Sequence, residues 1–348
     1  MQQYIIGDNE AGQRFDKYLK KVLKEAPDSF IYKMLRKKNI VLNGKKCTGN
    51  EKLEKQDIVK IFLADDTFEK FSGQKIHANS QEKQELSEEF IHQYKKAYQS
   101  IKNISVVYED ENILVLNKPA GVLSQKAGPD DISLNEWLLG YLLDKNVVSA
   151  ASLSTFKPSI CNRLDRNTSG MVVCGKSLAG SQYMSRIIKE KTLEKYYHCI
   201  VPGRVALQER LTGYLYKDNA SNKVTIYQSL DEIPSKKREK AEYIDTEFHT
   251  LQADEMHSLI EVQIFTGKTH QIRAHLASLK HPIIGDSKYG SATINKAYAS
   301  KGVHSQLLHA YRLVFPMAEE ERFQNLSGLV LTCTEPELFE KVLLTKGR

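Results

Sequence analysis

The chain has 348 residues, 41% of them hydrophobic and 27% charged, with a formal net charge of +7 and a pI near 8.9. That length admits two domains with a buried core, and the composition is that of an ordinary globular protein rather than a disordered or fibrous one. Apolar runs fall far short of the roughly 18 residues a spanning helix needs, and residues 1–8 lack the basic start and apolar centre of a signal peptide, so a cytoplasmic protein away from membranes is expected.

A hydrophobic face of Phe15, Leu19, Val22 and Leu23 predicts a first helix, and residues 30–38 predict a second. Residues 40–42 read as a short strand, Asn43-Gly44 as a two-residue hairpin turn, and 57–63 as a further strand. Between Ile31 and Lys46 stand Lys33, Arg36, Lys37, Lys38, Lys45 and Lys46 without one acid. Such density suits phosphate contacts, although a charge run by itself equally describes a solvated helix face. The order helix, helix, strand, turn, strand, with the Arg14-Phe15-Asp16 opening and the Val41-Leu42-Asn43-Gly44-Lys45 turn, resembles the S4 RNA-binding domain over residues 1–72. The resemblance implies that Lys33, Arg36, Lys37, Lys38 and Lys45 lie on RNA backbone. Residues 73–103, rich in Gln, Glu, Lys and Ser, read as a polar linker, partly helical over 85–101.

From Ile104 the pattern changes to short strands. Residues 106–108 and 113–116 are spaced as a hairpin, stopped by Asn117-Lys118-Pro119-Ala120-Gly121. A helix is expected over 133–143, and strand runs recur at 171–174, 197–201, 223–227, 241–248, 258–265, 307–315 and 329–333. This mixture predicts an α+β class with a mixed, mostly antiparallel sheet over 104–348. The cysteines, Cys47, Cys161, Cys174, Cys199 and Cys333, form no CxxC pair and have no histidine at ligand spacing, which argues against zinc and against a disulfide framework. Sustained heptads are absent, and a monomer is expected.

Chemistry concentrates at Asn162-Arg163-Leu164-Asp165-Arg166-Asn167-Thr168-Ser169-Gly170. One carboxylate, Asp165, sits between two arginines and just ahead of an apolar strand. Opposite charges favour the ionised form of a carboxylate, and an ionised, pre-positioned carboxylate can act as a nucleophile on a sugar carbon. A lone Arg-x-Asp-Arg is more simply a structural ion pair. Here, however, the segment is accompanied by Asn117-Lys118-Pro119, by Lys195-Tyr196-Tyr197 ahead of Pro202-Gly203, by Thr266-Gly267-Lys268-Thr269-His270-Gln271-Ile272-Arg273, by His281-Pro282 with Gly285-Asp286, and by Leu308-His309-Ala310.

These blocks, in this order over roughly 104–333, resemble the RluA-type pseudouridine synthases. The resemblance implies a redox-neutral isomerisation of uridine in structured RNA, with no metal and no organic cofactor. It assigns Asp165 as the aspartate that attacks the nucleotide, Arg273 as its basic partner, and Tyr197 as the tyrosine that packs on the target base, with Tyr196 as the competitor. It further implies that Arg163 fills the space left by an extruded uridine. Arg166, Lys118 and His270 are the other residues expected near RNA, with strand-end packing an equal reading for Lys118. Asn162 departs from the family, which has a histidine there, so no titratable ring is available at that position. An S4-bearing member resembles the enzymes of large-subunit ribosomal RNA more than those of tRNA. Two other readings compete: a non-catalytic RNA-binding or ribosome-assembly factor, and a carboxylate-dependent hydrolase, which would need a second working carboxylate.

Overall fold

The computed structural model describes residues 1–7, 10–73, 91–153, 156–218 and 223–344. Near the N-terminus, strands β1 (Gln2–Ile5), β2 (Ile40–Leu42), β3 (Lys45–Lys46) and β4 (Ile58–Ile61) form a sheet of order β1-β4-β2-β3. The helices Phe15–Val22 and Asp28–Arg36 precede β2. Their apolar stripes close a core of Phe15, Tyr18, Leu19, Ile31 and Leu35 against Ile40, Val59 and Ile61. The expected order of elements over 15–63 is therefore observed, with β1 and the helix Asp65–Ser72 added to it. At the hairpin, Asn43 has φ 51° and Gly44 φ 72°, the left-handed pair that a type I′ turn demands.

Of the stretch expected to be a linker, residues 74–90 lie outside the described residues. Residues 91–100 are helical, within the 85–101 stretch where helix was expected, and this helix packs on the large sheet's domain. Tyr94 and Ala97 are buried, and Tyr98 packs edge-on against Trp137 and Tyr141 of the helix Leu134–Asp144. The approach is so close that a Cβ at Gly140 would lie 2.2 Å from the Tyr94 carbonyl oxygen. Polar composition conceals this because only one edge of the helix is apolar.

The remaining strands are β5 (Ser105–Glu109), β6 (Ile113–Lys118), β7 (Ser159–Ile160), β8 (Ser169–Gly175), β9 (Glu194–Pro202), β10 (Gln208–Asp218), β11 (Lys223–Tyr227), β12 (Glu242–Ala253), β13 (His257–Ile264), β14 (Leu308–Val314) and β15 (Val330–Thr332). They form one sheet in the order β11-β10-β12-β13-β9-β14-β8-β6-β5, with β15 beside β14 and β7 beside β8. The β14–β8 pair is parallel and the other pairs are antiparallel, the mixed sheet that the strand pattern predicts. The expected hairpin is β5–β6.

Strand β10, eleven residues long, was not among the expected strands. Leu211, Gly213 and Leu215 alternate along its inner face, but a glycine in the middle position hides the period. Where β8 passes β14, Gly170 takes φ +113°, and a Cβ there would meet the Ala310 backbone at 2.3 Å; glycine is required for the two strands to pair. Among the described residues no helix is long and apolar enough to cross a membrane.

Candidate active site

The functional side chains come from the centre of the large sheet, where β8, β14, β9 and β13 are neighbours. Asp165 lies in the turn just ahead of β8. Tyr197 stands on β9, and Arg273 lies in the helix Gln271–Ser278 that follows β13.

The turn carrying Asp165 is pinned from the facing 118–124 loop. The Lys118 ammonium donates to the carbonyls of Pro119, Val122 and Arg166 at 3.1, 2.9 and 3.1 Å. The Arg166 carbonyl also accepts the Gly121 N–H, while Arg166 Nε donates back to the Gly121 carbonyl. The Ser124 hydroxyl accepts the Leu164 N–H at 3.1 Å and donates to the Leu164 carbonyl at 2.8 Å. The residues on both sides of the aspartate are thus held, which fixes its direction without touching its carboxyl.

The Arg273 helix is organised by Gln271. Its side-chain oxygen accepts from the Thr266 hydroxyl and the Lys268 N–H, and its amide donates to the Asp245 carbonyl and the Thr246 hydroxyl. These bonds satisfy a polar side chain that is only 3% exposed. His270, ahead of the helix, takes a left-handed φ of 55°. Non-glycine residues in that region cost energy and persist where the surroundings hold them, commonly at functional sites. Its Nδ1 lies 3.0 Å from the Tyr289 hydroxyl and its Nε2 3.8 Å from Asp165 Oδ2.

Arg273 is the hub. Nη1 donates to Asp165 Oδ2 at 2.7 Å, while Nε and Nη2 fork onto the two oxygens of Asp286 at 2.7 and 3.0 Å. Burial alone would lower the guanidinium, but the bonds and charges of Asp286 and Asp165 outweigh it and raise its pKa. Burial would likewise push the fully buried Asp286 carboxyl up; Arg273 and the N–H groups of Lys288 and Tyr289 hold it below the ordinary carboxylate value. Gly285, just before it, takes φ +82° at a point where a Cβ would strike the Ser305 carbonyl oxygen.

Asp165 and Tyr197 share an open groove of about 1080 Å³. Its lining carries eight lysines and arginines, among them Lys126, Arg163, Lys189, Lys195 and Lys268, against two carboxylates, Asp165 and Glu242. The second carboxylate is tied to Lys268 at 2.5 Å. Burial and then the Asp165 charge push the Tyr197 phenol up, so its hydroxyl is protonated at neutral pH. Strand alternation separates the two tyrosines. Tyr197 faces the groove, whereas Tyr196 turns to the other side of the sheet under the Arg312 guanidinium.

The chain matches the family model described as RNA pseudouridylate synthase over residues 112–278. An uncharacterized RNA pseudouridine synthase of Mycoplasma genitalium is 30% identical over 94% of this chain and 94% of its own length. The chain belongs to the RNA pseudouridine synthases. A ribosomal large subunit pseudouridine synthase C of Vibrio cholerae is 27% identical over 92% of this chain and 90% of that protein. Among solved structures, human RNA pseudouridylate synthase domain containing 4 superposes with a TM-score of 0.55 at 21% identity, over 72% of this chain and 96% of that one, which shows the shared fold. The protein is accordingly an enzyme that converts uridine to pseudouridine in RNA.

Two sequence expectations about this synthase change in three dimensions. Arg163 and Arg166 flank Asp165 in sequence, yet both are exposed, and among the described residues neither forms an ion pair with it. Successive residues in a tight turn point apart, so the guanidinium that reaches the carboxyl comes from 108 residues away. Lys118 cannot contact RNA: it is 0% exposed, and its ammonium is taken up by three carbonyls. Burial pushes its amine down to about 7 against the pull of Asp165. Of the other residues expected near RNA, Arg163, Arg166 and His270 line the groove, and Lys33, Arg36, Lys37, Lys38 and Lys45 are exposed near the N-terminal sheet.

The sequence placed Asp286 in a motif block without assigning it a role, and it did not single out Ser124. A carboxylate following His-Pro-Ile-Ile-Gly carries a signal only once its partner Arg273 is known. Asn162, at the family's histidine position, accepts the Val173 N–H at 2.8 Å and so secures the turn to β8, a structural task that needs no titratable ring.

Proposed function

We propose that this synthase isomerises uridine in large-subunit ribosomal RNA, with Asp165 as the catalytic nucleophile on an extruded uridine. The observation that carries the reading is the Asp165 carboxylate, held by Arg273 at 2.7 Å beside Tyr197 in a basic groove. The N1–C1′ bond breaks, the uracil turns, and a C5–C1′ bond forms; C5 loses a proton and N1 gains one, so the reaction needs no oxidant or reductant. Extruding the base costs a few kcal/mol of stacking and pairing. Arg163, exposed at the groove, takes the vacated place in the stack, since a guanidinium plane both stacks on bases and bonds phosphate. Tyr197 packs on the target base. Arg166 and His270 flank the strand.

The N-terminal unit, residues 1–72, acts as an S4-like RNA-binding domain, and its exposed Lys33, Arg36, Lys37, Lys38 and Lys45 add affinity through phosphates. The choice of ribosomal RNA is supported by the name and near full-length match of the Vibrio cholerae relative. The synthase works as a monomer in the cytoplasm, where that RNA is.

Asp165→Asn tests the catalytic assignment. Release of tritium from RNA labelled at uridine C5 should fall to background while RNA affinity stays near that of the wild type. A variant with wild-type turnover overturns the assignment. Mapping pseudouridines in RNA from cells lacking the protein identifies the substrate; unchanged ribosomal RNA removes the ribosomal reading.

A further inference from the structure

The sheet edge formed by β11, β10 and β12 carries a feature that the isomerisation does not use. Register sets Tyr227 opposite Tyr214, and Tyr214 opposite Tyr243. Residues directly opposite on neighbouring strands share a face, and the strands lie about 4.8 Å apart, so the three tyrosines form a row of neighbouring positions on one face. Val224, Leu215 and Ile244, on the other face of the same strands, are buried together with Ala274. The tyrosine row therefore faces outward. Tyr243 is 45% exposed and meets Tyr214 edge to face, with ring centroids 6.0 Å apart.

Two further observations define the occupant. The row reaches the lip of the catalytic groove at Tyr243, which lines that groove at the start of β12, while the row itself lies on the face opposite Tyr197 and the Arg273 helix. A cation stands beside it as well. Lys237 Nζ lies 4.8 Å above the ring of Tyr216, two residues along β10 on the same face, in a helix (Ser235–Arg238) with no buried residue. Aromatic faces beside lysines fit unpaired bases and their phosphates, since every base presents a π-face. Extruding the target uridine also leaves its neighbours without a stacking partner.

We propose that Tyr227, Tyr214 and Tyr243 form a stacking platform for unpaired bases flanking the target uridine, receiving the RNA strand as it leaves the groove around the start of β12 onto the outer face of the sheet. The proposal rests on the reading of this groove as the site that holds the RNA.

A short unstructured RNA carrying 5-iodouridine, irradiated in complex with the full chain, should cross-link to these tyrosines. Tyr243→Leu and Tyr214→Leu, which remove the π-face and keep apolar bulk, should each weaken binding of that RNA about tenfold. Tyr243→Phe, which keeps the ring, should bind like the wild type. Replacing the flanking nucleotides by abasic residues should bring the wild type and the Leu variants to the same affinity. Cross-links confined to other residues, Leu variants that bind like the wild type, or a loss that persists on abasic RNA would each overturn the platform. Binding and cross-linking need no turnover, so these outcomes are separate from that of Asp165→Asn.

Discussion

Arg273 grips Asp286 with two nitrogens and Asp165 with a third. The buried carboxylate of Asp286 aims the guanidinium, and the guanidinium in turn aims the groove carboxylate. A planar fork can serve both partners at once, whereas a lysine presents a single point charge.

Asp286→Asn should therefore act through position. A misplacement of about 1 Å at a reacting group can cost about a hundredfold in rate, and a loss of that order in kcat is expected with KM for RNA little changed. Breaking a buried pair also destabilises, here by roughly 3 kcal/mol, visible in chemical denaturation. Wild-type turnover by a folded Asp286→Asn would show that Arg273 needs no such support.

Lys118→Met should lower stability by roughly 2–4 kcal/mol, because three carbonyls lose their shared donor in a dry site. Turnover should fall with the loosened 163–166 turn. The salt dependence of RNA binding should stay as in the wild type, since Lys118 meets no phosphate. A shallower salt slope in this variant would place the ammonium on RNA after all.

The N-terminal patch should behave in the opposite way. Each phosphate contact contributes about 0.7–0.9 to the slope of log affinity against log salt. Replacing Lys33, Arg36 and Lys38 by alanine should reduce that slope by about 2 and leave thermal stability near wild type, since all three are exposed. An unchanged slope would remove this face from the RNA path.

Two histidines set an acid limit. Burial lowers His275 to about 4, and it lowers His309 to about 4 against the opposing pull of the Cys333 carbonyl and Glu335. Unfolded histidine titrates near 6.5, so acid protonates the unfolded chain first. The stability these neutral rings allow is fully present above about 6.5 and is lost as pH falls through about 4, by roughly 3 kcal/mol for each ring. Melting temperature should drop across that window, and His275→Gln should flatten the drop. A variant with the wild-type pH profile would exclude His275 as a cause.

Much of the fold was legible because its signals are local. The Asn43-Gly44 turn, the stripe Phe15–Leu19–Leu23, and the apolar run of β8 each depend on a few adjacent residues. The packing of the helix 91–100 and the strand β10 were not foreseen for a related reason: a single apolar edge on a polar helix, and a glycine in an inward-facing row, weaken the local period.

The sequence by itself determined which residues are available to the chemistry: Asp165 in its polar turn, Tyr197 on an apolar strand, and Arg273 behind a glycine turn. Tertiary structure alone decided their partners. It turned Arg163 and Arg166 outward, brought Arg273 and Asp286 to the carboxyl, and enclosed Lys118. Backbone directions in a turn separate sequence neighbours, whereas strands distant in sequence become adjacent only when the sheet closes, and the burial that follows is what makes a charge choose its partner.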